Sequence, residues 1–163
     1  MTRPRLVCIV GPTATGKSAL GLELAETLGA EIVSADSRQV YRHLDVGTAK
    51  PSAAEQRRVP HHCLDLVEPE ERFDVARFRI AAAAAIDSVH GRGRAALVVG
   101  GTGLYVRALL RGLCPAPPEV PALRAVLRRL VAARGASTLH RGLAALDPPA
   151  ARRIDPHDAI RIV

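Results

Sequence analysis

The sequence predicts an α/β fold: a parallel β-sheet flanked by helices, with the beginning of a helical insertion at the C-terminal end. Short β-branched apolar runs alternate with helical segments as far as about residue 112, which is typical of parallel strands joined by right-handed crossovers. A glycine-rich loop follows the first strand, and beyond residue 121 the pattern is helical and rich in arginine. A chain of 163 residues is long enough to bury a real core.

The first half of the chain contains two predicted strands and one predicted long helix. A strand is expected at residues 5–10, and the helix from Lys17 to Leu28 stops at Gly29, a residue type common at C-caps. The second strand is expected at residues 31–35. Residues 42–72 hold prolines, histidines and charged residues, so they predict mostly loop with a short helix near 53–58.

The next predicted elements complete the sheet. Asp74 is a candidate N-cap for a helix that runs to about Val89, before Gly91 and Gly93. A buried strand is expected at residues 95–99. It is followed by a helix over residues 104–110.

A proline-rich joint at residues 114–121 divides the chain into a core, residues 1–113, and the insertion, residues 114–163. Helices are expected at residues 122–134 and 137–146. The final segment is interpreted as a helix start, with Asp155 as its cap, Pro156 in its first turn and Asp158 near the positive end of its dipole.

Composition limits the classes of function. The formal net charge of +7 is a mild pointer to polyanionic partners, although arginine enrichment alone has other origins. Aromatic residues make up only 2% of the chain, which disfavours a base-stacking platform. No apolar run is long enough to span a membrane and no signal peptide is recognised, so a cytoplasmic protein without membrane contact is expected. The cysteines predict ordinary thiols: Cys8, Cys63 and Cys114.

The strongest motif is a phosphate-binding loop, or P-loop. It matches G-x-x-x-x-G-K-[ST] between a strand and a helix, so the fold is predicted to be P-loop NTPase-like. Backbone amides and the helix N-terminus favour a di- or triphosphate, ATP included, without deciding which. The hydroxyl of Ser18 is placed to bind Mg²⁺. The candidate diphosphate- or nucleotide-binding residues are Gly11, Pro12, Thr13, Ala14, Thr15, Gly16, Lys17 and Ser18.

An acidic residue is expected near this loop, but not where an NTPase has it. The strand at residues 95–99 ends in Gly100-Gly101-Thr102-Gly103 without an acid, whereas Asp36 follows the second strand. Because the carboxyl ends of parallel strands share one crevice, Asp36, Thr102 and the P-loop are expected to face a common site. Asp36 is then a candidate general base, with a helix N-cap as the alternative. Ser37 and Gln39 are candidates to hydrogen-bond a planar base.

The two adjacent histidines are interpreted as structural or solvent-facing. Adjacent residues on a strand point to opposite faces, so His61 and His62 are not expected to bind one metal ion together. The loop that contains His43, Asp45 and Lys50 is a candidate to close on the site, although spacing alone does not show this.

Five motifs in this order resemble the tRNA isopentenyltransferase (tRNA dimethylallyltransferase) family. They are GPTATGKS, SADSRQVYRHLDVGTAKP, VPHHCLDLVEP, LVVGGTGLYVRALLRGL and LDPPAARRIDPHDAIRI, and together they cover nearly the whole chain. The resemblance implies transfer of the dimethylallyl group of dimethylallyl diphosphate to the N6 amine of the adenosine 3′ of a tRNA anticodon. It implies Mg²⁺ as cofactor, tRNA (the anticodon stem-loop) as partner, and no ATP in the P-loop.

The resemblance also assigns roles to single residues. Asp36 matches the general base, and Thr102 matches a position beside the substrate tRNA, which makes both of them the candidate catalytic residues. Arg124 is the best candidate for a phosphate contact with the anticodon arm. The segment that holds the flipped-out adenosine corresponds to Asp36, Ser37, Arg38 and Gln39.

The resemblance leaves alternatives open. Family members are about twice as long, so the chain is expected to be a fragment or a truncated form, monomeric and of reduced activity on its own. A small P-loop kinase, an adenylate isopentenyltransferase and an inactive diphosphate-binding remnant remain competing hypotheses.

Overall fold

The computed structural model describes residues 6–113 and 120–163. The chain divides into two compact units, Met1–Cys114 and Pro115–Val163. The thiol expected at Cys114 and most of the predicted proline-rich joint lie outside the described residues. No helix within the described ranges is both long and apolar enough to cross a bilayer.

Within the described residues, the first unit contains a sheet of four parallel strands: β1 (Leu6–Val10), β2 (Glu31–Ser34), β3 (His61–His62) and β4 (Ala96–Gly100). Their order across the sheet is β1-β4-β2-β3. This arrangement confirms the predicted α/β fold, because each parallel connection needs a crossover. The central strands β4 and β2 are buried along their whole length, as expected for parallel strands covered on both faces, although β2 begins and ends with the polar residues Glu31 and Ser34.

Helices cover both faces of this sheet. On one face, α1 packs through Leu22 and Ala25 against Ile32 and Leu97. On the other face, two helices pack their apolar stripes against Val33 and Val98. The helices of the first unit are α1 (Lys17–Leu28), α2 (Ala53–Arg58), α3 (Val75–Gly91) and α4 (Gly103–Arg111), with a 3₁₀ helix at Val46–Thr48.

Within the described residues 120–163, the second unit is helical, as expected. Its helices are α5 (Pro121–Arg134), α6 (Ala136–Leu146), α7 (Pro148–Ala151) and α8 (Ala159–Ile162). The proposed cap of the last helix is wrong. The carboxylate of Asp158 accepts from Arg161 N, whereas Asp155 accepts from His157 N in the preceding turn.

The segment 42–72 is more ordered than a loop. The helix expected near 53–58 is present, and Ser52 with Glu55 forms a capping box at its start. The strand β3 was not predicted, because two histidines carry no apolar alternation and their extended form comes from pairing with β2.

The two described cysteines are free. Burial raises the pKa of the Cys63 thiol to about 12, so this cysteine is protonated at neutral pH. Burial also raises the pKa of Cys8. Neither group has the character of a reactive thiolate.

Candidate active site

A cavity of about 170 Å³ opens at the carboxyl ends of the strands, on the face covered by α1. Its position is the one expected for a ligand site in an open parallel sheet. The P-loop forms one end, and the segment that follows β2 forms a side. Its lining comprises Thr13, Ala14, Lys17, Ser18, Leu22, Ile32, Ser34, Asp36, Gln39, Thr48, Ala49, Pro51, Glu55, His61, Val99, Gly100 and Gly101.

The P-loop holds its backbone in an anion-binding conformation. Ala14 and Gly16 have positive φ values of 64° and 77°. Left-handed residues within a turn direct successive N–H groups inward and form a concavity for an anion. Gly16 is also the N-cap of α1, so the helix dipole adds positive potential at the same point.

The side chains of the P-loop place a cation beside these amides. Thr15 Oγ1 donates to Pro12 O at 2.9 Å. Lys17 Nζ donates to the same carbonyl and lies 3.3 Å from Thr15 Oγ1. The ammonium therefore lies over the loop, and both Lys17 and Ser18 line the cavity.

Asp36 lies in the wall of the cavity next to the P-loop residues. Its Oδ1 accepts from Arg38 N at 2.7 Å, which closes a tight turn. The following residues form turns rather than a helix, so the alternative role as a helix N-cap is not what the structure has. The side chain keeps a second carboxylate oxygen for chemistry in the cavity.

The ends of β2 and β4 approach each other closely behind Asp36. A Cβ atom on Gly100 would overlap the backbone of Ala35, so only glycine fits there. Thr102 joins the two ends by hydrogen bonds: its N donates to Ala35 O at 3.1 Å, and its Oγ1 accepts from Ser37 N at 3.0 Å. Thr102 therefore holds the turn that presents Asp36, although it is not itself among the cavity-lining residues.

Gln39 is buried and connects three parts of the site. Its Oε1 accepts from Ser34 Oγ at 2.8 Å. Its Nε2 donates to Thr48 O at 3.2 Å and to Ala49 O at 3.1 Å. Both amide hydrogens are engaged within the protein, which leaves one lone pair of Oε1 for a substrate. The predicted contact of Gln39 with a base stays a prediction.

Lys50 closes the loop on which Thr48 and Ala49 lie. Its side chain is only 3% exposed, and its Nζ donates to Asp45 at 2.7 Å, to Asp65 at 2.6 Å and to Tyr41 O at 2.8 Å. Burial lowers the pKa of this lysine, but its hydrogen bonds to the two carboxylates outweigh burial and raise it. The buried ammonium thus fixes this loop beside the cavity.

The inner end of the cavity differs from the P-loop end. Leu22, Ile32 and Val99 supply apolar surface. The carboxylate of Glu55 accepts from Ser52 N and Ser52 Oγ, both at 2.7 Å, and these hydrogen bonds lower the pKa of Glu55. The polar groups of this end therefore bond mainly to the protein itself.

The two histidines of β3 point in opposite directions, as expected. His61 lines the cavity, and its Nδ1 lies 2.8 Å from Val59 O. Burial lowers the pKa of His61 and outweighs the contact with Val59, so the ring is neutral at pH 7. His62 instead lies 2.7 Å from Glu31 Oε2. The two rings do not form a joint metal site.

Mg²⁺, which the resemblance implies, prefers oxygen ligands. The hydroxyl of Ser18 and the carboxylate of Asp36 line the same cavity and suit that preference. Among the residues described, no cluster of three or more His, Cys, Asp or Glu side chains is suited to a metal ion. The oxygen donors present therefore fit an ion that is bound mostly by the ligand's phosphates.

The predicted site residues of the first unit that line the cavity are Thr13, Ala14, Lys17, Ser18, Asp36 and Gln39. Ser37 and Arg38 form the turn after Asp36, with the exposed Arg38 contributing its backbone N–H. Arg124 lies in the second unit, on α5, where it lines a groove with Arg128 and Ile160.

Sequence analysis missed the roles of Glu55, His61 and the buried Lys50. The capping-box spacing of Ser52 and Glu55 was visible in the sequence, but it indicates a helix start and not a cavity wall. Nothing in the pattern of residues 59–63 marks His61 as a lining residue, because its place depends on the pairing of β3 with β2.

Known proteins match the chain along nearly its whole length. A family model described as IPP transferase matches residues 39–163, and one described as Isopentenyl transferase matches residues 4–65. The chain is 58% identical over 159 residues to a tRNA dimethylallyltransferase of Anaeromyxobacter dehalogenans, covering 98% of the chain and 52% of that protein. A tRNA dimethylallyltransferase of Myxococcus xanthus is 50% identical over 161 residues, covering 99% of the chain and 52% of that protein.

Solved structures agree. A tRNA isopentenylpyrophosphate transferase from Bacillus halodurans matches with a TM-score of 0.67 and 42% identity, over 99% of this chain and 53% of the other. A eukaryotic dimethylallyltransferase, solved acting on tRNA, matches with a TM-score of 0.83 and 27% identity, over 99% and 40%. The chain thus spans about half the length of the curated relatives it matches. These matches, together with the P-loop and the strand order, show that the chain belongs to the IPP transferase family.

Proposed function

We propose that this site transfers a dimethylallyl group from dimethylallyl diphosphate to the N6 amine of the adenosine 3′ of a tRNA anticodon. The relatives named tRNA dimethylallyltransferase, one of them a structure solved acting on tRNA, support this assignment. In the reaction, a bond forms between N6 and C1 of the prenyl group, the bond between C1 and the diphosphate oxygen breaks, and one proton leaves the amine.

The observation that carries the proposal is the polarity of the cavity. One end offers the amides of the P-loop and the ammonium of Lys17, whereas the other end is apolar or internally hydrogen-bonded. Such a cavity suits an amphiphile with an anionic head and a short alkyl tail. Its volume of about 170 Å³ is below the roughly 300–1,000 Å³ typical of sites for larger ligands.

The P-loop end supplies the leaving-group stabilisation. Negative charge grows on the diphosphate as the C1–O bond breaks, and preorganised amides with Lys17 stabilise that charge. The hydroxyl of Ser18 would hold Mg²⁺, which would add positive charge beside the leaving group when bound.

Asp36 is proposed to accept the amine proton. Its Oδ1 is held by Arg38 N, which fixes the carboxylate in the cavity wall. A positioned carboxylate that receives a proton in the transition state contributes about 10²–10⁴-fold to the rate. Thr102 is proposed to act through Ser37 by keeping this turn in place, and beside the tRNA as well.

The tRNA is proposed to contact both units. The exposed Arg128, Arg129 and Arg134 of α5 and Arg141 of α6 suit phosphate contacts. The half-buried Arg124 of α5 is the first candidate for a contact with the anticodon arm. Ser37, Arg38 and Gln39 are proposed to hold the flipped-out adenosine. On this proposal the protein acts as a monomer in the cytoplasm, where tRNA is modified.

The first test is Asp36→Asn, assayed for prenyl transfer to an anticodon stem-loop in Mg²⁺ with radiolabelled dimethylallyl diphosphate. Asparagine keeps an oxygen that accepts from Arg38 N but does not take the proton. We expect kcat to fall by about 10²–10⁴-fold while the affinity for inorganic diphosphate stays unchanged. Turnover equal to that of the wild type would remove Asp36 from the chemistry.

The competing functions are tested by changing the substrates of this assay. Replacing the stem-loop by AMP separates a tRNA enzyme from an adenylate isopentenyltransferase, and ATP consumption with a panel of metabolites detects a kinase. Diphosphate binding without any turnover would identify a binding remnant and would contradict the proposed activity for this chain.

A further inference from the structure

We propose that the inner end of the cavity limits the length of the prenyl donor, and that His61 forms the wall that excludes chains longer than dimethylallyl. This inference rests on the proposed function and deepens it by naming a residue that sets donor specificity.

The depth follows from the secondary structure. Leu22 lies one helical turn beyond Ser18 on α1, a distance of about 6 Å along the helix axis. Ile32 lies two residues before Ser34 on β2, which is also about 6–7 Å along the strand. The lining therefore extends from the phosphate loop to the level of Ile32, over about the length of a short branched alkyl group.

His61 is at that level because of strand pairing. It is the partner of Ile32 in the register between β3 and β2, and both residues line the cavity. The ring is fixed by the contact of Nδ1 with Val59 O at 2.8 Å. Val59 itself is 2% exposed and packs in the core under α1. Close-packed core atoms therefore lie next to the His61 ring and oppose its displacement.

The lining at the inner end suits an alkyl group better than a purine. The Glu55 carboxylate accepts from Ser52 N and Ser52 Oγ, and the Nδ1 of His61 is engaged with Val59 O. A purine has several ring nitrogens that require donors, and these engaged side chains offer few. The negative charge of the Glu55 carboxylate also repels the anionic diphosphate from the inner end. The diphosphate is therefore expected to remain at the Lys17 end.

The neutral state of His61 supports the same inference. Burial lowers its pKa, so at pH 7 the ring contacts an alkyl tail without the cost of desolvating a charge. A longer tail has to displace this ring from Val59 O or bend back towards Asp36.

The test measures binding, so it does not depend on turnover. Thiolodiphosphate analogues of dimethylallyl and geranyl diphosphate are titrated calorimetrically in Mg²⁺, with inorganic diphosphate as the head-group reference. We expect the wild type to prefer dimethylallyl over geranyl by about 10- to 100-fold, and His61→Ala to reduce this preference to about threefold or less. The affinity for inorganic diphosphate stays the same in both.

Two further variants keep the test decisive. His61→Phe restores the volume of the wall and is expected to retain the preference. Leu22→Phe narrows the same end and is expected to weaken dimethylallyl binding without affecting diphosphate. Thermal melting of each variant checks that the fold is retained.

The outcomes are distinct. Suppose that the dimethylallyl analogue binds more tightly than inorganic diphosphate, but that its preference over the geranyl analogue is unchanged in His61→Ala. His61 is then not the wall, and this inference is overturned. If His61→Ala changes the affinity for AMP or the stem-loop instead, the acceptor occupies the inner end, which also overturns it. If neither prenyl analogue binds better than diphosphate, the proposed function itself fails.

Discussion

At the scale of single residues, the geometry of the site depends on the backbone conformation at a few positions and on the absence of a side chain at one of them. The left-handed conformations of Ala14 and Gly16 direct backbone amides into the concavity of the P-loop, and Gly100 lets the ends of β2 and β4 approach. Asp36 and Lys17 line the same cavity. The geometry of the site is therefore expected to change when a single Cβ atom is added at Gly100.

Gly100→Ala is the sharpest test of this dependence. The added Cβ overlaps the backbone of Ala35, so the strand ends must separate, which costs about 1–3 kcal/mol in the free energy of unfolding. Urea denaturation measures this loss, and diphosphate affinity reports the displaced turn. Gly101→Ala is the matched control, because its Cβ meets nothing nearer than Gly11 O at 3.4 Å and the fold should tolerate it. Equal stability of the two variants would contradict the argument.

At the scale of secondary-structure elements, local capping decides where helices begin. The Asp74 carboxylate accepts from Ala76 N and Arg77 N, both at 2.9 Å, and starts α3. This cap was visible in the sequence because Asp precedes a long helical pattern. The sequence predicts the wrong N-cap for α8 because aspartate is a preferred N-cap residue and both Asp155 and Asp158 precede the helix. Only the path of the backbone decides that Asp158 is the cap.

Asp74→Ala is expected to lower the free energy of unfolding by about 1 kcal/mol, because two backbone donors of the first turn of α3 lose their acceptor. Chemical denaturation measures the loss. The exposed Asp87, within the same helix, provides the control, and Asp87→Ala should be neutral or slightly stabilising since alanine is the better helix former. A similar loss at both positions would argue against a capping role.

At the scale of the first unit, one buried carboxylate joins the sheet at the edge away from the cavity. Glu31 is 3% exposed and binds His62 and Arg92 at 2.7 Å and Arg94 at 3.3 Å. These partners come from β3 and from the turn before β4, so the carboxylate links three strands. Burial raises the pKa of Glu31, but the hydrogen bonds from Arg92 and His62 outweigh it and lower the pKa overall.

This shift predicts an acid-sensitive stability. Because the pKa of Glu31 is lower in the folded state than in the unfolded state, its contribution is complete above the unfolded value of about 4.3 and is lost as the pH falls through the folded value. Glu31→Gln should cost about 2–3 kcal/mol at pH 7 and flatten the fall in stability below pH 4.3. Denaturation curves across that range measure the effect, and an unchanged acid slope in the variant would contradict it.

The sequence by itself determined the parallel α/β order, the P-loop and the acid after β2, because these depend on local patterns: apolar runs, glycine positions and a fixed motif spacing. Only the tertiary structure decided that Thr102 holds the Asp36 turn, that Lys50 is buried between two carboxylates and that His61 lines the cavity. Each of these depends on contacts between segments distant in sequence. A two-residue strand such as β3 has no pattern of its own and exists because β2 offers it backbone hydrogen bonds.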